Sequence, residues 1–142
     1  MAARLALALA VVGLVLVVAG SAGPWAGALA VTVEGTEGTD GWFVIVIGAF
    51  AVFLLLLHQR LPYRAFPILA LAAGAAATAV TAYDLSQIDR LVARTRIGQV
   101  ALVDSRWGIY VALAGSAALG LASLALVLLP PAGDLEDRPE PL

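Results

Sequence analysis

Few side chains in this sequence could do chemistry. Its single histidine, His58, stands in the run His58-Gln59-Arg60-Leu61-Pro62-Tyr63-Arg64, which gathers an imidazole, two guanidiniums and a phenol. Such a group could bind an anion or carry a proton. A hydrolase or transferase, however, needs a nucleophile or metal, a base and a charge stabiliser converging at one place. No second titratable group is assigned to that rim apart from the C-terminal tail, so no catalytic residue is expected. His58, Arg60 and Arg64 are read instead as interfacial anchors, whose polar heads reach the headgroup layer from the end of a short apolar span. A second cluster, Glu34, Glu37 and Asp40 among Thr32, Thr36 and Thr39, could collect a hard cation such as calcium, which takes six to eight oxygens. The spacing does not match a calcium loop, and a strand followed by a solvated acidic turn is the plainer reading, so no metal and no cofactor are expected. The chain has no cysteine, which excludes disulfides and thiol chemistry.

The elements that must position these groups are apolar. Of 142 residues, 62% are hydrophobic and 13% charged, far from the balance of a soluble domain. A bilayer core needs about 20 apolar residues in a helix, and four runs qualify, near residues 5–20, 42–57, 65–83 and 107–129. The expected fold is all-α: one four-helix transmembrane domain over residues 1–130, with short outer loops, followed by a disordered acidic tail over 131–142. Gly23-Pro24 ends the first span, Pro67 suits the opening turn of the third, and Pro130-Pro131 stops the fourth. The first run, with Arg4 ahead of it and Ala28-Leu29-Ala30 behind, also has the outline of a cleavable secretory signal. Its apolar stretch is at or above the length usual for such signals, and it is read as a retained span.

Arg is kept on the cytoplasmic side of short loops. Arg4, Arg60 and Arg64 lie on one side of the spans, whereas residues 21–41 carry only acids, so both termini are expected in the cytoplasm of a plasma-membrane, multi-pass protein. The loop before the fourth span, with Arg90, Arg94, Arg96 and Arg106, runs against that bias. Trp25, Trp42, Tyr83 and Trp107 all fall at the outer ends, where amphipathic rings settle among headgroups.

Lipid tails are as apolar as leucine, so the spans must associate through small residues. Gly108, Ala112, Ser116 and Gly120 recur every four residues on the fourth span, and Ala70, Gly74, Thr78 and Ala82 do so on the third. These ridges are expected to face each other; pairing of two copies through the fourth span uses the same residues. The second span, the bulkiest, is expected to face lipid on several sides. Inside the spans there is no Asp, Glu, Lys, Arg or His, and Thr78, Thr81, Ser116 and Ser123 can bond back to their own helices. Ion-coupled carriers keep an ionisable group at that depth. Between the third and fourth spans, Ser86 with Asp89 resembles a capping box, and Leu85, Ile88, Leu91 and Val92 make one apolar face ending before Gly98. That pattern predicts a short amphipathic interfacial helix lidding the bundle.

With Pro24-Trp25, Asp40-Gly41-Trp42, the short basic loop, Tyr83-Asp84 and Trp107-Gly108-Ile109-Tyr110 in place, the chain resembles small, uncharacterised four-span membrane proteins of actinobacterial type over nearly its whole length. The resemblance implies no activity. Four-span claudin-like proteins also place Trp in the first outer loop but rely on a cysteine pair this chain lacks. All of these landmarks but the basic loop put aromatic and turn-forming residues at the outer face, where Asp40 and Asp84 are the residues to test first. The expected function is that of a non-enzymatic accessory, scaffold or envelope component. Its partners would be membrane lipids and a membrane protein or a second copy, with no basic stripe for nucleic acid. The alternative is a small oligomeric transporter or channel for a neutral or lipidic solute, lined by Thr78, Thr81 and Ser116; an enzyme using His58 ranks third.

Overall fold

The computed structural model describes residues 1–28, 31–97 and 100–129. The tail at 131–142, Leu29-Ala30 of the signal-like site, Gly98 and Pro130-Pro131 lie outside them. Four helices dominate: α1 (Ala2–Ser21), α2 (Thr39–Arg60), α3 (Ala65–Arg94) and α4 (Trp107–Leu128). Each is long and apolar enough to cross a membrane. Between them run β1 (Pro24–Ala28), β2 (Val31–Glu34), a 3-10 turn (Gly35–Glu37), and the short strands β3 (Arg96–Ile97), β4 (Val100–Ala101) and β5 (Val103–Ser105).

The helices sit side by side in the order α1, α2, α3, α4, with α4 returning to pack along α1; that last seam is the closest of the four, and α1 against α2 the loosest. Buried positions step by three and four: Ala6, Ala10, Gly13, Val17 and Gly20 on α1, and Pro67, Ala70, Gly74, Ala77 and Thr81 on α3. Such a rhythm keeps one stripe facing the neighbouring helices. The stripe is made mostly of small residues, and bulk points outward. Phe43, Val46, Phe50 and Phe53 of α2 are all exposed, a polarity opposite to that of a soluble bundle and suited to an apolar surrounding.

Beyond one end of the bundle, three strands form an antiparallel sheet in the order β2-β1-β5. Gly27 pairs with Thr32 on one side and Asp104 on the other, so the connection after α1 and the connection before α4 are joined through a single central strand. Pro24 opens β1, one of the few strand positions a proline tolerates. A register irregularity follows between Pro24 and Ala26, at Trp25. The other two strands, β3 and β4, form a separate antiparallel pair.

The expected separate amphipathic helix is corrected. Its residues belong to α3, which runs unbroken for 30 residues. Nothing between Tyr83 and Leu91 breaks a helix, since the stretch has neither Gly nor Pro. Ser86, expected as a cap, donates its hydroxyl to the Tyr83 carbonyl at 2.7 Å, a bond available in a helix interior. At 1.5 Å per residue, the apolar stretch of α3 over residues 65–83 is about as long as a bilayer's apolar core, and residues 84–94 continue the helix past it. Helix α2 likewise extends past its apolar run, bringing Asp40 into its first turn and His58 and Arg60 into its last, each charge at the dipole end that favours it.

Candidate functional site

The organised end of the molecule is built around Trp25. The irregularity in β1 lets this ring turn inward, and it is only 7% exposed, packed with Ile109 and Ala112 of α4. Its indole Nε1–H donates to the Gly20 carbonyl at 2.9 Å. That carbonyl lies in the last turn of α1 and also accepts from the Gly23 N–H at 3.2 Å. Gly35 lies flat against the indole, so close that a side chain there would meet the ring and the Ser21 carbonyl oxygen. Leu85 and Ile88, the apolar face beyond the third span, pack against the same cluster. One side chain thus ties α1, β1, the 3-10 turn, α4 and the projecting part of α3. Trp25 was expected among headgroups, and this is corrected: a ring on a strand folded across the bundle end is covered by the elements that the strand joins. Trp42, Tyr83 and Trp107 remain more than half exposed around the rim.

The backbone secures the sheet to the bundle. The Arg106 N–H, just ahead of α4, donates to the Trp25 carbonyl at 2.9 Å, and the Gly35 N–H donates to the Gly23 carbonyl at 3.3 Å. The Glu34 N–H is bonded by the Glu37 carboxylate at 3.1 Å, which closes the acidic turn on itself. Arg106 and Asp104 form an ion pair, Nε to Oδ2 at 3.1 Å, lying over Gly27, where a side chain would collide with the guanidinium. The angle of approach falls short of a hydrogen bond, since the Arg106 Nε–H has no aligned acceptor.

Asp40 and Asp84 face a cleft of about 390 Å³ shared with Ala79, Val80 and Tyr83. Asp84 follows the last residue of the apolar stretch of α3, and one of its oxygens is buried without a hydrogen-bond partner. Burial pushes the Asp84 carboxyl up to about 6, and the charge of Asp40 adds to the rise. The Tyr83 hydroxyl accepts from the Gln87 amide at 2.7 Å. No group of three metal-ligating side chains occurs among the described residues.

The small-residue ridges divide between two partners. On α3, a methyl added at Gly74 would come 2.8 Å from the Gly120 backbone nitrogen, so these two glycines do bring α3 and α4 together. Ala70 is fully buried, Thr78 is half-buried with its hydroxyl on the Gly74 carbonyl at 2.8 Å, and Ala82 is exposed. On α4, Gly108 and Ala112 lie against Gly20 of α1, while Ser116 is buried with its hydroxyl on the Leu113 carbonyl at 2.9 Å. The reason is rotational: a strict step of four turns about 40° past a full circle each time, so a four-membered ridge sweeps about 120° around its helix. Sequence reasoning missed the closest seam, where a methyl on Gly115 would sit 2.6 Å from the Gly13 carbonyl oxygen. The seven-residue separation of Gly13 and Gly20 was the available signal.

Comparison with family models, with curated proteins and with solved structures finds no match for this chain. The functional reading therefore rests on its own residues.

Proposed function

We propose that the chain is a non-enzymatic, multi-pass protein of the plasma membrane that acts as an accessory, scaffold or envelope component through contacts of its sheet-bearing end. In this reading both termini are cytoplasmic and the sheet faces outward. The observation that carries it is the shared sheet: two connections far apart in sequence spend their backbone hydrogen bonds and a buried tryptophan on making one surface. A structure that only needed to link helices would require neither. The edge strand β2 is exposed along its whole length, with Val31 at 65% and Val33 at 48%, and offers an unpaired backbone with apolar side chains to a neighbour.

The bundle interior supports contact over transport. Thr81 and Ser123 are buried, and their hydroxyls donate to carbonyls one turn back on their own helices at 2.9 Å. Groups satisfied in this way have little left to give a passing solute. The test is crosslinking in native membranes followed by purification of a tail-tagged copy in mild detergent, beside a Val31→Lys, Val33→Lys double variant. A stoichiometric protein partner captured by the natural sequence and lost from the variant is expected. Robust solute flux by the purified protein in proteoliposomes would overturn the reading in favour of a small transporter.

A further inference from the structure

The opposite end of the bundle carries a cavity that the proposed function does not use. It encloses about 320 Å³ between the start of α1, the turn from α2 to α3 and the end of α4. His58, Gln59 and Arg64 line one part of it, and Pro67, Ile68 and Leu126 another. That volume falls at the lower end of small-molecule sites, about 300–1,000 Å³. The smaller part of its wall is polar and cationic, and the larger part is apolar.

Charge is distributed unevenly along the molecule. Among the described residues, every carboxylate (Glu34, Glu37, Asp40, Asp84, Asp89 and Asp104) belongs to the sheet-bearing end or to the part of α3 beyond it. At the cavity end stand Arg4, Arg60 and Arg64, with no acidic partner among the described residues. The N-terminus of α3, the positive end of its dipole, begins beside Arg64. His58 adds a directed group. Its Nδ1 lies 3.2 Å from the Tyr63 carbonyl oxygen, which can only accept, so Nδ1–H donates to it and holds the ring at the cavity wall.

The geometry points to a binding site for the headgroup of an anionic phospholipid, with phosphate on Arg64, beside His58 and Gln59, and the first carbons of the lipid against Ile68 and Leu126. The apolar part of the wall, the larger, decides for a lipid over a soluble anion. Ile68 and Leu69 are each 52% exposed and continue the lining onto the outer surface of α3, where an acyl chain would run. A free phosphate would meet only the basic rim. The site presupposes the membrane embedding on which the proposed function rests, and extraction of the protein from membranes by alkaline carbonate would report a failure of that embedding separately.

The test is native mass spectrometry of the full chain released from micelles holding equal amounts of phosphatidylglycerol and phosphatidylcholine. One phosphatidylglycerol retained per chain, in preference to phosphatidylcholine, is expected. A His58→Gln, Arg64→Gln double variant should lose roughly tenfold in retention, the scale of one charge-assisted hydrogen bond. Arg64→Lys should keep most of it, and Arg90→Gln, at the other end, should be indistinguishable from the natural sequence. Equal retention of the two lipids would overturn the site, as would an equal loss on Arg90→Gln or full displacement by millimolar inorganic phosphate. Retention that arises only after removal of residues 130–142 would overturn it in favour of the chain's own acidic tail.

Discussion

The two ends of the bundle solve the same problem differently. Each must turn the chain around outside the apolar layer and satisfy the backbone groups exposed there. At one end, Leu61 to Arg64 suffice: the Leu61 N–H closes the last turn of α2 on Leu57 at 2.8 Å, the Tyr63 N–H reaches the Leu61 carbonyl at 2.7 Å, and basic side chains fill the rim. At the other end the chain folds a three-stranded sheet, buries a tryptophan beneath it and extends α3 by about ten residues to support it. A reversal needs only a turn. The additional structure at the sheet-bearing end is the observation from which the proposed function is argued.

The sharpest way to break this contrast is Trp25→Ala. Removing a buried ring that also donates to the Gly20 carbonyl is expected to cost about 3–5 kcal/mol. Tyr63→Ala at the other end, an exposed ring with Phe66 at 6.0 Å as its aromatic neighbour, should cost less than about 1 kcal/mol. Unfolding in detergent followed by circular dichroism measures both. Equal losses would show that the two ends contribute alike.

A smaller effect is expected within the bundle. Gly74→Ala should destabilise by about 1–3 kcal/mol because the added methyl meets backbone, which cannot swing aside. Gly120→Ala, whose methyl would find its nearest atom at 3.9 Å, should be close to neutral. If the two substitutions behave alike in the same unfolding assay, the seam between α3 and α4 is not the one described.

Next in size is a dependence on pH. The Asp84 carboxyl is raised from 3.8 to about 6, so folding favours its neutral form. The associated stability is fully present below the unfolded value and is lost as pH rises through about 6. Asp84→Asn should therefore melt higher than the natural sequence at pH 7.5, with the difference fading by pH 4. A constant difference across that window would remove the titration of Asp84 as its cause. The smallest effect is expected from Asp104→Asn, whose ion pair with Arg106 is 53% and 40% exposed on the two sides. A loss of less than about 1 kcal/mol, shrinking further in 0.5 M salt, is the expected outcome.

Much of this architecture was legible in the chain. A span is announced by a local property, the length of an apolar run, and four such runs became four helices long and apolar enough to cross a membrane. The strand at Val31 and the turn of Glu34 and Glu37 were similarly local, carried by alternation and by glycine. What misled was also local. Ser86 with Asp89 has the pattern of a cap, but the same hydroxyl can bond back within a helix, and only the continuity of the chain on either side chooses between the two.

The sequence by itself determined that four helices are long and apolar enough to cross a membrane, and that the spans carry no ionisable group. Tertiary structure alone decided that Trp25 lies beneath a sheet, that Gly108 and Ala112 meet α1 while Gly120 meets α3, and that Ser105 finds Ala26 some eighty residues away. The division has one cause. Partition into an apolar layer is a sum over neighbouring residues, whereas strand pairing and helix seams depend on which distant surfaces close without a gap, and no single segment carries that information.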